Sequence, residues 1–252
     1  MTIHWVTAFL DYPADDFASG AMFWQAITAS TLSPPRGLEG EFATLLPTSG
    51  DPYIRVQRIQ EGAAKCHLDL HVDDIAREVE RAITLGASLG REGHGITTMR
   101  SPSGLDFCVV VHHGEHERPN PSVWANEQRS ILDQVSIDVA PTSFDEECAF
   151  WSELSHWPLH QGSRPEFAYL TRAPDVVLRL MFQRVEDDQK RPASAHLDFA
   201  CDDVASETVR HTALGATVAH VFDDWTTMRD PTGLAYCLTR RDPTTGSLVT
   251  TD

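Results

Sequence analysis

His67-Leu-Asp-Leu-His-Val-Asp-Asp-Ile75 is written twice in this chain, the second time as His196-Leu-Asp-Phe-Ala-Cys-Asp-Asp-Val204. The likeness runs on through Leu85-Gly-Ala87 and Leu214-Gly-Ala216. It continues in Thr97-Thr-Met-Arg-Ser-Pro-Ser-Gly-Leu105 and Thr226-Thr-Met-Arg-Asp-Pro-Thr-Gly-Leu234, and closes at Cys108 and Cys237. The offset stays at 129 residues from His67 and His196 to the two cysteines, and 19 of the 42 aligned positions are identical without a gap. A duplication of this length divides 252 residues into two domains of ordinary size, each large enough for its own core.

Within the repeat, alternation puts Leu68, Leu70 and Val72 on one face of a strand and His67, Asp69 and His71 on the other. Leu197, Phe199 and Cys201 divide in the same way from His196, Asp198 and Ala200. One face should meet a helix and the other line something polar. Asp73-Asp74 supplies a cap for a helix with Ile75, Val79 and Ile83 as its inner stripe, and Leu-Gly-Ala ends that helix with a glycine suited to the left-handed position. Two further strands are joined by Ser101-Pro-Ser-Gly104 or Asp230-Pro-Thr-Gly233. Proline second and glycine fourth suit a type I turn, so this motif reads as geometry rather than chemistry.

Upstream, residues 3–10 are β-rich and Asp11-Tyr-Pro makes a turn. Phe17, Ala21, Trp24 and Ile27 then recur at helical spacing, as do Phe144, Cys148, Trp151 and Leu154 in the second half. Both tryptophans lie on the apolar stripe and are expected in the core. Strands near 41–46 and 53–59 match 166–170 and 177–185, which makes a βαβββ unit used four times. Residues 114–129 are polar, carry prolines and fall outside the repeat, so they read as a linker between domains at 1–113 and 130–242. Residues 243–252 read as a loose tail.

With 20 basic against 37 acidic residues the net charge is −17, which repels nucleic acid and anionic membranes. No stretch approaches about 18 consecutive apolar residues, and the N-terminus lacks a basic region followed by an apolar core. Five cysteines without Cys-x-x-Cys spacing suggest neither a disulfide framework nor a zinc knuckle, so a reducing cytoplasm is the expected compartment.

The His-Leu-Asp-Leu-x-Val-Asp-Asp segment, the Leu-Gly-Ala helix end and the Pro-x-Gly turn before an apolar strand resemble the vicinal oxygen chelate superfamily. That group includes glyoxalase I, extradiol dioxygenases, fosfomycin-modifying enzymes and bleomycin-binding proteins. The resemblance covers nearly the whole chain and is closest to tandem glyoxalase-like proteins. It implies an α+β fold in which paired βαβββ units curl into a cupped, half-open barrel whose concave face holds a metal or ligand. Family metal ligands come from the first and last strands of each unit. The resemblance carries the histidine that opens the second unit onto His67 and His196, and the first-strand ligand onto Gln134, with His4 the nearest first-half candidate. Gln57 and Gln183 fall where glyoxalase I has a glutamate. Four residues beyond the turn glycine the metal-binding members carry another glutamate, whereas this chain has Cys108 and Cys237.

That departure matters physically. One imidazole with neutral amides offers a divalent cation no formal negative charge, and a cysteine replaces the carboxylate only as a thiolate, favouring zinc, nickel or iron over magnesium. Asp69 and Asp198 share the polar face, but two residues along a strand is roughly 7 Å, which makes them poor replacements. Asp106 has the same parity. His67 and His196 therefore stand as metal ligands, as substrate-facing groups or as structural hydrogen-bonders, and the two cysteines as metal ligands or as small buried pocket-wall residues. His71, Arg55, Gln57 and Met99, with Gln183 and Met228, are expected to line the clefts. His112-His-Gly-Glu-His116 is rich in ligands but abuts the linker and reads as a solvated junction.

Three functions follow as expectations. The first is a small-molecule binding protein with degenerate metal sites, its ligand a polar or aromatic metabolite or drug. The second is a divalent-metal lyase, isomerase or dioxygenase. The third is a cofactor-free enzyme with His67 or His196 as general base, since imidazole titrates near neutrality. A tandem fusion can be a pseudo-dimer within one chain, so either a monomer or a homodimer is expected.

Overall fold

The computed structural model describes residues 3–125, 127–186 and 191–249. The first half begins with β1 (Trp5–Pro13), α1 (Ala14–Ile27), β2 (Thr31–Leu32), β3 (Phe42–Leu46) and β4 (Ile54–Ile59). It continues with β5 (Lys65–Val72), α2 (Ile75–Thr84), β6 (Ser88–Gly93), β7 (Ile96–Arg100) and β8 (Asp106–Val111). After the short β9 (Ser122–Val123), the second half opens with β10 (Arg129–Val139), α3 (Phe144–Ser155), β11 (Leu159–Gln161), β12 (Phe167–Leu170) and β13 (Arg179–Arg184). It ends with β14 (Ser194–Cys201), α4 (Val204–Ala213), β15 (Thr217–Val221), β16 (Trp225–Arg229) and β17 (Ala235–Arg240). This is βαβββ four times over, as the periodicities require.

The strands form two open sheets, ordered β2-β3-β4-β1-β5-β8-β7-β6 and β11-β12-β13-β10-β14-β17-β16-β15, with β9 pairing β10 outside the second path. Neither path closes into a barrel. At the centre of each, a parallel pair (β5 with β8, β14 with β17) is joined through the intervening helix and hairpin. The helix boundaries follow local chemistry. Asp74 accepts a hydrogen bond from Arg77 N–H at 3.1 Å and Asp203 one from Ser206 N–H at 2.9 Å. Gly86 and Gly215 both take φ 104°, releasing the chain from α2 and α4. The Pro-x-Gly segments are turns, with Gly104 N–H donating to Ser101 O and Gly233 N–H to Asp230 O at 2.9 Å. The inner stripe of α2 differs from expectation: Val79 and Ala82 are buried with Glu78, while Ile83 is 46% exposed. Eight residues at 3.6 per turn carry Ile83 about 80° round from Ile75 and off the buried face.

Contacts group the described residues into two compact units. One draws on the stretches up to Phe9, Cys66–Glu117 and Val135–Ala195; the other on Leu10–Lys65, Arg118–Gln134 and from His196 onward. Each unit therefore mixes residues from both sequence halves. In the first, Phe150 and Trp151 of α3 pack on Phe107 of β8, with ring centroids 6.0 and 5.2 Å away. In the second, Trp24 of α1 lies 6.2 Å from Phe199 and 5.3 Å from Tyr236. Both tryptophans are fully buried. At about 25 cal/mol per Å2 over roughly 200 Å2 of ring each, they are among the largest apolar contributions to their units.

The five cysteines are buried and unpaired by disulfides. No helix among the described residues is long and apolar enough to cross a membrane. Beyond Arg241 the chain folds back: Asp242 accepts from Thr244 and Thr245 N–H, Gly246 N–H donates to Asp242 O, and Arg241 bridges to Leu248. The stretch expected to be a loose tail is thus a hydrogen-bonded turn as far as Val249; residues 250–252 lie outside the described residues.

Candidate functional site

The register of the parallel pair β5 and β8 sets Asp69 beside Cys108 on one face, and Leu68 beside Phe107 on the other. His67, two residues before Asp69, brings its Nε2 to 3.7 Å from Asp69 Oδ1, and ligand atoms of His67, Asp69 and Cys108 all lie within 4.8 Å of one another. Phe9 stacks on the His67 ring at 4.8 Å and 11°. All three are buried, His67 at 9% exposure. The second half repeats the arrangement. Asp198 pairs with Cys237, His196 Nε2 lies 3.4 Å from Asp198 Oδ1, and the three again fall within 4.8 Å. Gln134 of β10 donates from Nε2 to Asp198 Oδ2, and Thr227 Oγ1 is 3.6 Å from Cys237 Sγ. Burial pushes the Cys237 thiol up, the Asp198 charge pushes it further, and His196 opposes the shift.

The expectation that Asp69 and Asp198 stand too far from the histidines is therefore corrected. A spacing of roughly 7 Å holds for alternate Cα atoms, but an imidazole reaches several ångströms and can lean along its strand. Imidazole, carboxylate and thiol together fit a borderline or thiophilic divalent ion, and the aspartate supplies the formal charge that the sequence reading found missing.

Two of the other expected site residues turn away from these groups. Met99 and Met228 pair with Phe107 and Tyr236, so both point to the helix-covered face, away from Cys108 and Cys237. One residue along the strand reverses the face, and Thr98 and Thr227 hold the positions beside the cysteines. Arg55 and Gln57 lie half-buried on β4, and Gln183 half-buried on β13. His4 is drawn off by Asp73, 2.8 Å from its Nε2. Trp24 and Trp151 hold matching places on α1 and α3, 127 residues apart, and the same offset takes Thr7 of β1 to Gln134 of β10; Thr7 Oγ1 lies 2.9 Å from His71 Nε2. Asp106 pairs with Arg100 at 2.9 Å. His112 and Glu115, read as part of a solvated junction, have side chains only 18% and 14% exposed and converge on His71. A crevice lined by Thr28, Ser30, Thr48, Ser122 and Ser130 also touches Phe199 on the helix-covered face and includes none of these histidines.

Solved structures similar to this one share its architecture over most of their length at low identity. A mutant 4-hydroxymandelate synthase from Streptomyces coelicolor matches with TM-score 0.63 and 14% identity over 99% of this chain and 94% of its own. A Mn(II)-bound glyoxalase from Novosphingobium aromaticivorans matches with TM-score 0.65 and 15% identity over 98% and 86%. The 2,2',3-trihydroxybiphenyl 1,2-dioxygenase of Sphingomonas wittichii matches with TM-score 0.59 and 16% identity over 92% and 88%. At such identities the likeness speaks for the fold. No curated protein sequence matches the chain. The family model described as a glyoxalase-like domain matches twice, over residues 7–110 and 134–239, so it spans most of both repeats. With that double match over both βαβββ pairs, the chain belongs to the glyoxalase-like domain family.

Proposed function

We propose that this protein is a divalent-metal-dependent enzyme acting on a small molecule with adjacent oxygen donors, in the lyase, isomerase or dioxygenase range of its superfamily. The observation that carries this reading is the His-Asp-Cys group built twice, with its ligand atoms within 4.8 Å in each half. His67, Asp69 and Cys108 would hold one ion, and His196, Asp198 and Cys237 another, of zinc, nickel or iron type. Such an ion, when bound, acts as a Lewis acid toward adjacent substrate oxygens. The chain's own residues prepare the site. Gln134 holds Asp198 by its amide, Phe9 limits the rotation of the His67 ring, and burial of His67, Asp69 and Cys108 keeps bulk water from the first group.

A second reading, small-molecule binding without metal, draws on the Gln134 to Asp198 hydrogen bond, which already engages one carboxylate oxygen with a protein donor. Metal analysis of purified protein loaded with zinc, nickel, iron or manganese separates the two. Each of His67→Ala and His196→Ala should lower the bound metal by about one ion per chain. Glyoxalase and ring-cleavage assays should lose activity with the metal. An unchanged metal content in the double variant would sink the enzyme reading, and saturable quenching of tryptophan fluorescence by ligands in chelator-treated protein would favour the second.

A further inference from the structure

A third cluster stands apart from both groups. Where the chain leaves β8, His112 N–H donates to Val72 O at 3.0 Å and pins this exit beside the end of β5. Three residues on, the Glu115 carboxylate is held by His113 N–H, 3.1 Å from Oε2. The same Oε2 is 3.6 Å from His71 Nδ1 and 3.5 Å from His112 Nδ1, and the three ligand atoms lie within 4.8 Å of one another. These separations exceed the roughly 2.7–3.2 Å of an N–H···O hydrogen bond. They match two ligands about 2.1 Å from one zinc ion at a tetrahedral angle, which stand roughly 3.4 Å apart. The buried Nδ1 of His112 has no hydrogen-bond partner among the described residues.

The surroundings are those that orient imidazole ligands. Thr7 Oγ1 engages His71 Nε2 at 2.9 Å, so that Nδ1 is the nitrogen turned to Glu115. His4 stacks on His112 at 4.7 Å and 22°, and is itself tied to Asp73. Metal-binding histidines commonly have their second nitrogen held in this way. The site is recessed yet reachable, with side-chain exposures of 1% for His71, 18% for His112 and 14% for Glu115.

We infer that His71, His112 and Glu115 form a binding site for a divalent transition metal, distinct from the two His-Asp-Cys groups. His71 is four residues beyond His67 along β5, roughly 13 Å at about 3.3 Å per residue. Two of the three ligands lie past residue 110, where the family match of the first half ends. The second half has Ala200 at the position of His71, so the site belongs to the first half. Two imidazoles and one carboxylate carry a single negative charge and leave coordination positions open, a donor set that suits zinc or iron(II).

The test uses the full chain with His67→Ala and His196→Ala in place, so that the outcome does not depend on the other groups. After zinc loading and gel filtration, about one zinc per chain should remain, and cobalt(II) substitution should give visible d–d absorption. Adding the near-isosteric Glu115→Gln should weaken zinc at least tenfold, Glu115→Gln with His112→Gln should abolish it, and Thr7→Val should weaken it about tenfold. His113→Gln with His116→Gln should leave it intact. The inference is overturned if the background binds no zinc, if Glu115→Gln with His112→Gln leaves zinc affinity unchanged, or if the His113 and His116 substitutions remove the ion. Far-UV circular dichroism verifies that each variant is folded.

Discussion

Glu147 and Gly20 occupy equivalent positions on α3 and α1, and the exchange is compensated around them. Glu147 accepts from Trp151 Nε1 at 2.8 Å and from Ser103 N–H at 2.9 Å. In the other compact unit Trp24 Nε1 instead reaches Asp230 Oδ2 at 3.1 Å, and the Tyr12 hydroxyl donates to the same oxygen at 2.8 Å. The Tyr12 ring lies where a side chain on Gly20 would begin, with a Cβ only 2.6–2.8 Å from its carbons. One tryptophan is thus served by a carboxylate on its own helix, the other by one in the turn. Gly20→Ala should destabilise the protein by about 1–3 kcal/mol through overpacking. Glu147→Ala should cost about 2 kcal/mol by orphaning the buried Trp151 Nε1–H and the half-buried Ser103 N–H. Shifts in the urea midpoint at constant slope check both, and a neutral Gly20→Ala would mean that Tyr12 moves freely.

At the scale of an element, α4 carries a buried ion-pair network that makes the second unit sensitive to acid. Glu207 and His211 are fully buried, 3.0 Å apart, and His211 Nδ1 meets the Tyr236 hydroxyl at 2.9 Å. Burial holds His211 below its ordinary 6.5, with the Glu207 hydrogen bond only partly opposing. Burial alone would raise Glu207, but hydrogen bonds from His211 and Arg210 outweigh it and hold the carboxyl below 4.5. Both shifts have the same sign for stability. In each case the unfolded chain takes up a proton at a higher pH than the folded one, so stability falls as pH drops. The loss should begin below about pH 6.5 as His211 protonates in the unfolded chain, and continue below about pH 4.5 as Glu207 does. In denaturation curves measured from pH 8 to 4, His211→Gln should remove the first phase; an unchanged curve would show that His211 does not carry it.

For the whole molecule, the mixing of sequence halves within each compact unit has a consequence for dissection. Phe107 of the first half is covered by Phe150 and Trp151 of the second, and Phe199 and Tyr236 of the second by Trp24 of the first. Cutting the chain after Asn120 should leave two fragments that each expose an aromatic cluster. Each alone should bind a hydrophobic dye and aggregate, and the two co-expressed should associate. Fragments that are separately monomeric and unfold cooperatively would contradict this.

Much of this architecture is legible in the chain. The period-two alternation at His67 and His196, the aspartate caps, the glycines at φ 104° and the Pro-x-Gly turns are local devices, each needing only a few neighbouring residues. They determine four βαβββ units, and with them the family. The alternation also puts His67 and Asp69 on one face, and the resemblance marks Cys108 as a site position. Only the tertiary structure decides what those faces meet. Strand register sends Met99 to the helix side, side-chain reach closes Asp69 onto His67, and the turn after β8 carries Glu115 back to His71. The reason is geometric: periodicity specifies which way a side chain leaves the backbone, whereas a site needs atoms from different strands and loops brought within a few ångströms. That closeness is set by pairing and packing between segments that the sequence holds far apart.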